Sequence, residues 1–514
     1  MKSKKLIALL LAGLMCLPIL ASCAKSPDET RHTRPVDDTG VSDDNFPEAN
    51  YGNEEFTFLY IKHTDVGKDY YGGNYIDSES LEGLTIEDAV FTRNSAVEEK
   101  YRVNIVEKPV ISGDPAKVLQ DYIMSGDYCY DVIYGWCYKL GAAITDNYFA
   151  DFYELQNNGT ADLTAEYWSP SAIEDLTIAD KLYLCTNDIS MNKLNWAGMI
   201  FFNKQLVEDY GVDEYLGTTL YDLVDSGKWT YDKFLDLIKY VNADLDGNGQ
   251  ITKDDVFGLI DGAGIGDGLA SSCGIKNVKK SEDGSLVLDI YSEKILDIMN
   301  KVSEVYGNSN YVKSFKDIWS EPGSSVPDNM DEWEYARSFF TTDHSLFCGG
   351  SAYITSEFRD MESEYGILPN PKYDENQETY LSHVDVLASI FALPSTVRSV
   401  GATGSMERTG TVLEYMAYKS NEILLPVYYD TLLKGQRLNS PDDARMLDIV
   451  RATVTYDLAG AVGLEDVGNL RSQMFESPAA AKSTYDRNAR KVQRELDDFY
   501  TKVLLLDTKK AESK

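Results

Sequence analysis

Aromatic and β-branched residues crowd the run Phe56-Thr57-Phe58-Leu59-Tyr60-Ile61, the pattern of a strand. Ile86, Ala89, Val90, Val97 and Tyr101 then recur at helical spacing, with Thr85 placed to cap the start and Asp88 three residues on. Val103 to Val106 reads as a second strand, Val118 to Met124 as a helical piece and Tyr130 to Tyr134 as a third strand. Strand and helix in alternation predict a parallel sheet covered on both faces. The rhythm returns further on. Met199 to Phe202 reads as a strand, Thr230 opens a helix with Phe234, Leu237, Ile238 and Val241 at i, i+3, i+4 and i+7, and Phe257 to Ile260 follows as a strand. The last third is mainly helical, over Thr409 to Lys419, Pro441 to Thr455 and Ala479 to Leu505. No short-period repeat is present.

The front of the chain departs from this pattern. Lys2, Lys4 and Lys5 precede an apolar run from Leu6 to Leu20 that is too short to span a bilayer. Residues 1–22 therefore read as a secretory signal. Its ending, Leu20-Ala21-Ser22-Cys23, resembles the bacterial lipobox, which implies that Cys23 becomes a lipidated N-terminus. Residues 23–55 are polar and almost free of large aliphatic side chains, the composition of a disordered tether between membrane and body.

Charge narrows the partners. The chain carries −36 at neutral pH, and the signal holds lysines but no acids, so the mature protein is more acidic still. Nucleic acid and docking on anionic headgroups are excluded on that ground. Beyond the signal, Cys129, Cys137, Cys185, Cys273 and Cys348 are odd in number and scattered, which is no disulfide framework. His32, His63, His344 and His383 form no zinc-hydrolase pairing, and GxSxG, Walker and post-strand GxGxxG motifs are missing. A glycoside hydrolase needs two carboxylates, but among 84 acids such pairs carry no weight.

Several segments in fixed order resemble the carbohydrate-type extracellular solute-binding proteins of ABC importers. They are "TRNSAVEEKYRVNI", "SGDYCYDVIYG", "FFNKQLVEDYG", "SGKWTYDKFLDLIKYVNADLDGNGQITKDDVFGL", "FCGGSAYI" and "YGILPNPKYDENQETYLSHVDVLASIFALPST". The resemblance implies a two-lobed α/β fold with the ligand in the cleft between the lobes. One lobe would hold residues 56–190 and 384–424, the other 191–383 and 425–508. The crossings would lie near Asp188 to Trp196, near His383 and near Leu425. Trp136, directly after a strand, stands where such proteins place a stacking aromatic, with Tyr138 beside it. Asp65 is similar to a polar ligand-contacting position in the loop after the first strand. Asn195 and Trp196 flank the first crossing, Asp261 follows the strand Phe257 to Ile260, and Glu357 follows Ala352 to Thr355. The function implied is capture of an oligosaccharide by a monomeric, lipid-anchored protein outside the cell membrane. Lobe closure and delivery to ABC permease subunits would need no covalent step. The residues alone also leave open a secreted glycan-active enzyme, or a ligand sensor or adhesion lipoprotein.

One local motif is sharper. Residues Asp244 to Asp255 follow the pattern D-x-D-x-N-G-x-I-x-x-x-D. Asp244, Asp246 and Asn248 place oxygens at positions 1, 3 and 5, Gly249 allows the turn, Gln250 offers its carbonyl and Asp255 closes the loop. This predicts a structural calcium site between a helix and a strand, with Asp255 shorter than the usual glutamate.

Overall fold

Strands form where the sequence packs β-branched and aromatic residues, and the chain lays them down in three groups. β1 (Glu54–Lys62), β2 (Val103–Ile111) and β3 (Val132–Trp136) come first, separated by the helices Thr85–Tyr101 and Pro115–Ser125. The short strands β4 (Phe149–Ala150) and β5 (Leu184–Cys185) follow. The second group is β6 (Gly198–Asn203), β7 (Phe257–Asp261), the hairpin β8 (Val278–Lys280) and β9 (Leu286–Leu288), β10 (Val312–Ser314), β11 (Ser345–Ser351) and β12 (Tyr365–Pro369). Last come β13 (Ser382–His383), β14 (Ser389–Pro394) and β15 (Val454–Thr455). The computed structural model describes residues 42–62, 75–78, 85–125, 128–261, 270–321, 323–398, 405–433 and 440–512. The chain divides into two units, Met1–Val41 and Ser42–Lys514, and every described residue belongs to the second. Among the described residues, no helix is long and apolar enough to cross a membrane.

Two sheets organise the body. The first runs β2-β1-β3-β14-β4, with β5 also on β14, and the second β10-β7-β11-β6-β12. Every residue from Phe56 to Ile61 is buried, Thr57 included, as expected when both faces of a sheet are covered. The expectation of parallel sheets holds for β2-β1-β3 and for β10-β7-β11. It fails at β14 and β6, which run antiparallel to β3 and β11. The reason is where each begins. Ser389 of β14 lies opposite Trp136 at the end of β3, and Gly198 of β6 lies opposite Ser351 at the end of β11. Both strands enter from the carboxyl edge of their sheet, because the chain has just crossed over from the other one.

The crossing segments bind each other. Ala197 and Val384 form an antiparallel bridge, the Asp385 amide donates to the Trp196 carbonyl at 3.1 Å, and β13 pairs with β15. The helix expected to reach Thr455 therefore stops at Ala452, since Val454 and Thr455 are drawn into pairing with Ser382 and His383. A third connection is helical throughout. Met406–Lys419 continues through a π-helical turn, Ser420–Leu424, into Leu425–Leu433.

The tether, read as running to Glu55, gives way to packed chain by Asp43. Phe46 is buried, with its ring 5.0 Å from Tyr415 and 4.8 Å from Tyr418, and Asp43 pairs with Lys419 at 2.8 Å. One aromatic in a polar stretch is enough to dock it.

Candidate functional site at the crossing segments

At the carboxyl edge of the first sheet, Trp136 ends β3 and starts the helix Cys137–Ala142. Its ring stacks on Tyr138 at 5.8 Å and 21°, leaving Trp136 8% exposed. The amides of Cys137 and Tyr138 donate to the carbonyls of Ala388 and Val386, so the segment after His383 runs along this edge.

At the carboxyl edge of the second sheet, Asp261 ends β7, and β11 leads into the 3-10 stretch Ala352–Phe358 that carries Tyr353 and Glu357. Trp196, from the first crossing, stacks on Tyr353 at 4.6 Å and 23°. Glu357 is clasped by Arg337, whose Nε and Nη2 each donate to one carboxylate oxygen at 2.6 Å. Burial raises the Glu357 carboxyl, and the guanidinium opposes that. Burial also raises the Cys348 thiol, and Asp261 and Glu357 both add to it, against the Arg337 charge.

Asn195 plays a different part from its neighbour. Its Nδ2 donates to the Tyr75 hydroxyl at 3.2 Å, and its Oδ1 accepts from the Tyr428 hydroxyl at 2.8 Å. It joins the first crossing, the segment after β1 and the helix Leu425–Leu433. Arg93 reinforces this junction. It is fully buried and donates to the carbonyls of Tyr75 and Ile76 at 2.8 and 2.9 Å, to Ile189 at 3.1 Å and to the Ser420 hydroxyl at 3.3 Å. Burial pushes its guanidinium down to about 9, with Asp77 opposing.

Two residues that sequence reasoning passed over belong here. Tyr353 completes the Trp196 stack. Asp385 lies exposed on the second crossing, with one carboxylate oxygen accepting from the Leu387 amide at 2.8 Å. Its charge reaches both edges: after burial, it contributes to pushing the Cys137 thiol and the Tyr353 phenol up to about 12. A lone acid in the apolar run from Val384 to Pro394 was the available signal. The 384–388 segment thus runs along the Trp136–Tyr138 stretch and bonds to Trp196 through Asp385, while Tyr353, Asp261 and Glu357 belong to the carboxyl edge of the second sheet. Asp65 and Cys23 lie outside the described residues.

The predicted metal loop lies away from these stacks, between the helix Tyr231–Tyr240 and β7. Carboxylate oxygens of Asp244, Asp246 and Asp255 come within 4.8 Å of one another. Asp244 accepts from the amides of Gly247 at 2.7 Å, Asn248 at 3.2 Å and Gly249 at 2.6 Å, and Asn248 Oδ1 accepts from the Gln250 amide at 2.8 Å. Gly247 and Gly249 hold φ of +71° and +86°, which glycine alone adopts without strain. Asp255 accepts from the Leu245 amide and from the amide and hydroxyl of Thr252 at 2.8 to 2.9 Å. Burial raises its carboxyl, and these donors outweigh burial to hold it below the ordinary value. All the convergent side-chain groups offer oxygen, the donor set of a hard cation, so the residues fit calcium.

No family model matches the chain, and no curated protein matches it in sequence. Solved structures do match. A cyclo/maltodextrin-binding protein complexed with maltotetraose aligns at TM-score 0.51 and 14% identity, over 85% of this chain and 96% of the other. UspC of M. tuberculosis aligns at 0.51 and 12%, over 86% and 100%. An ABC substrate-binding protein of Listeria monocytogenes, in complex with cycloalternan, aligns at 0.50 and 11%, over 87% and 99%. At such identities the likeness speaks for the fold. This chain has the two-lobed α/β fold of the ABC substrate-binding proteins.

Proposed function

We propose that this protein captures an oligosaccharide between its two sheets and passes it to an ABC permease. The observation that carries the reading is the pair of aromatic stacks, Trp136–Tyr138 and Trp196–Tyr353, each tied through the backbone to the crossing segment that bears Asp385. Flat apolar faces suit sugar rings, and carboxylate and amide groups at their rim suit hydroxyls. Glu357 is held by Arg337 through both oxygens, which fixes it as a rim acceptor. Two of the aligned structures hold maltotetraose and cycloalternan, which makes neutral glucans the first class to try.

Cys23 anchors a monomer to the outer side of the cell membrane, and calcium at Asp244, Asp246, Asn248, Gln250 and Asp255 steadies the second sheet. The first test is a thermal-shift screen with maltodextrin and mannan oligomers, followed by analysis of the sugars after long incubation. A raised midpoint with intact sugar is expected, because a ligand held only by the native state stabilises it. Cleaved oligomers, or no shift with any saccharide, would sink the reading. For the anchor, Cys23→Ser should leave the membrane fraction; continued partition as an acylated protein would refute it.

A further inference from the structure

A third aromatic group lies on the second sheet, outside the stacks already described. Phe315 and Trp333 rings approach to 3.8 Å, Phe315 and Trp319 to 5.0 Å, and Trp319 and Trp333 to 6.3 Å. Trp333 is 39% exposed and Met330 beside it in sequence 37%, whereas Trp168 and Trp229 are fully buried. We propose that Phe315, Trp319 and Trp333 form an outer subsite for the distal units of a long oligosaccharide whose inner units stack at Trp196 and Tyr353. The inference rests on the carbohydrate reading above and adds chain length to it.

Position is the first argument. Ser314 ends β10 opposite Asp261 at the end of β7, so Phe315 is the first residue past the carboxyl edge that holds the candidate site. Trp333 and Arg337 are one turn apart on the helix Glu332–Thr341, at i and i+4, and so share a face. Arg337 is the residue that clasps Glu357. The acids at the start of this helix are also felt at the inner site: Asp331 contributes at both Tyr353 and Glu357, and Glu334 at Glu357. The aromatic group therefore begins about one helical turn from the Arg337–Glu357 pair.

Rigidity is the second. Ser314 and Asp317 form a reciprocal capping box at the start of Phe315–Ser320, and Asp331 and Glu334 form another at Glu332–Thr341. The Trp319 indole N–H donates to the Glu332 carbonyl at 3.0 Å. Rings held this way offer area at little ordering cost. The third argument is the rim. Asp331 and Glu332 are exposed beside Trp333, bonded to it and to Trp319 through Asp331 Oδ1 and the Glu332 carbonyl. They accept hydroxyl hydrogen bonds and repel an anionic bilayer. Three rings are also far less than the apolar area a stable protein partner covers. A sugar is the occupant that fits both the small faces and the acidic rim.

The test is calorimetric titration with maltodextrin and mannan ladders from disaccharide to hexasaccharide. The parent should bind longer members of one ladder more tightly. Trp333→Ala should lose about tenfold on the longest members and nothing on the shortest that binds, while Trp333→Phe keeps most of the affinity. Equal loss at every length, or none at any, would overturn the subsite and leave the carbohydrate reading standing. So would a parent that binds without regard to length. A parent that binds no member of either ladder would take down both. The melting curve of Trp333→Ala, measured alongside, should match that of the parent.

Discussion

Asp188 and the loop from Asp244 to Asp255 both concentrate negative charge, and the fold answers it in opposite ways. Asp188 is fully buried on the first crossing. Lys193 approaches one oxygen at 2.5 Å, and the other takes Arg451 at 2.8 Å and Asn421 at 2.7 Å. Its partners come from the same crossing, from the helix Pro441–Ala452 that packs on β12, and from the π-helical turn. In the loop, by contrast, Asp244 and Asp246 face amides and Asn248, with no lysine or arginine bonded to them among the described residues. Charge met by the protein's own cations is a clamp between elements. Asp244 and Asp246, met by amides and Asn248 rather than by a cation, retain capacity for a cation from outside, while Lys313 sits on the Ile251 carbonyl at the other end of the loop.

The largest expected effect tests the clamp. Asp188→Ala leaves Lys193 and Arg451 buried without their anion, which should cost about 3–5 kcal/mol in chemical denaturation. A loss under about 1 kcal/mol would show that the cluster does not hold the crossings together. The acid limb sharpens this. Burial raises the Asp188 carboxyl, but Arg451 and Lys193 outweigh it and hold the group below its ordinary value. A depressed carboxyl stabilises the fold above its unfolded pKa, near about 4, and that contribution fades as pH falls through the folded value. Asp188→Asn should therefore flatten the fall in stability below about pH 4, and an unchanged acid limb would count against the pairing.

The next effect tests the loop. If calcium fills it, saturation at about 100-fold excess over Kd adds about 2.7 kcal/mol to stability, so chelation should lower the melting point. Asp244→Ala with Asp246→Ala should remove that sensitivity. A melting curve indifferent to chelator would break the contrast with Asp188, because the loop acids would then be satisfied by amides alone.

The same contrast explains what could be read from the sequence. The clustering of the loop acids was legible because their oxygens lie within twelve consecutive residues, at a spacing the turn imposes. The Asp188 cluster was not, since Lys193, Asn421 and Arg451 meet only after three segments fold together. Strands β1, β3, β6 and β7 were legible from β-branched and aromatic runs. Their directions were not: β14 and β6 are antiparallel because of where the chain crosses, which no local pattern encodes. Trp136 was singled out at a strand end and Trp196 at the crossing that the resemblance implies, while Tyr353 and Asp385 went unnoticed within segments already judged informative. Phe46 was missed because one aromatic does not alter the composition of a polar stretch.

The last contrast is between two tryptophans, and its binding arm is the smallest effect expected. Trp229 is completely buried, meets Phe234 edge-on, and donates its indole N–H to the Pro369 carbonyl at 2.9 Å. Replacing it with alanine should destabilise the second sheet by about 3–5 kcal/mol and leave affinity, measured well below the melting point, near the parent value. Trp136 keeps a little exposure at a sheet edge and packs flat on Tyr138 rather than deep among aliphatic side chains. Removing its face should weaken binding of the best oligosaccharide by about two- to threefold, from the small area its ring leaves open. The two variants should thus separate in calorimetry and in melting, each failing where the other holds. If Trp136→Ala instead melts far below the parent and binds as tightly, its ring closes the sheet core, and the sugar must sit nearer Trp196 and Tyr353.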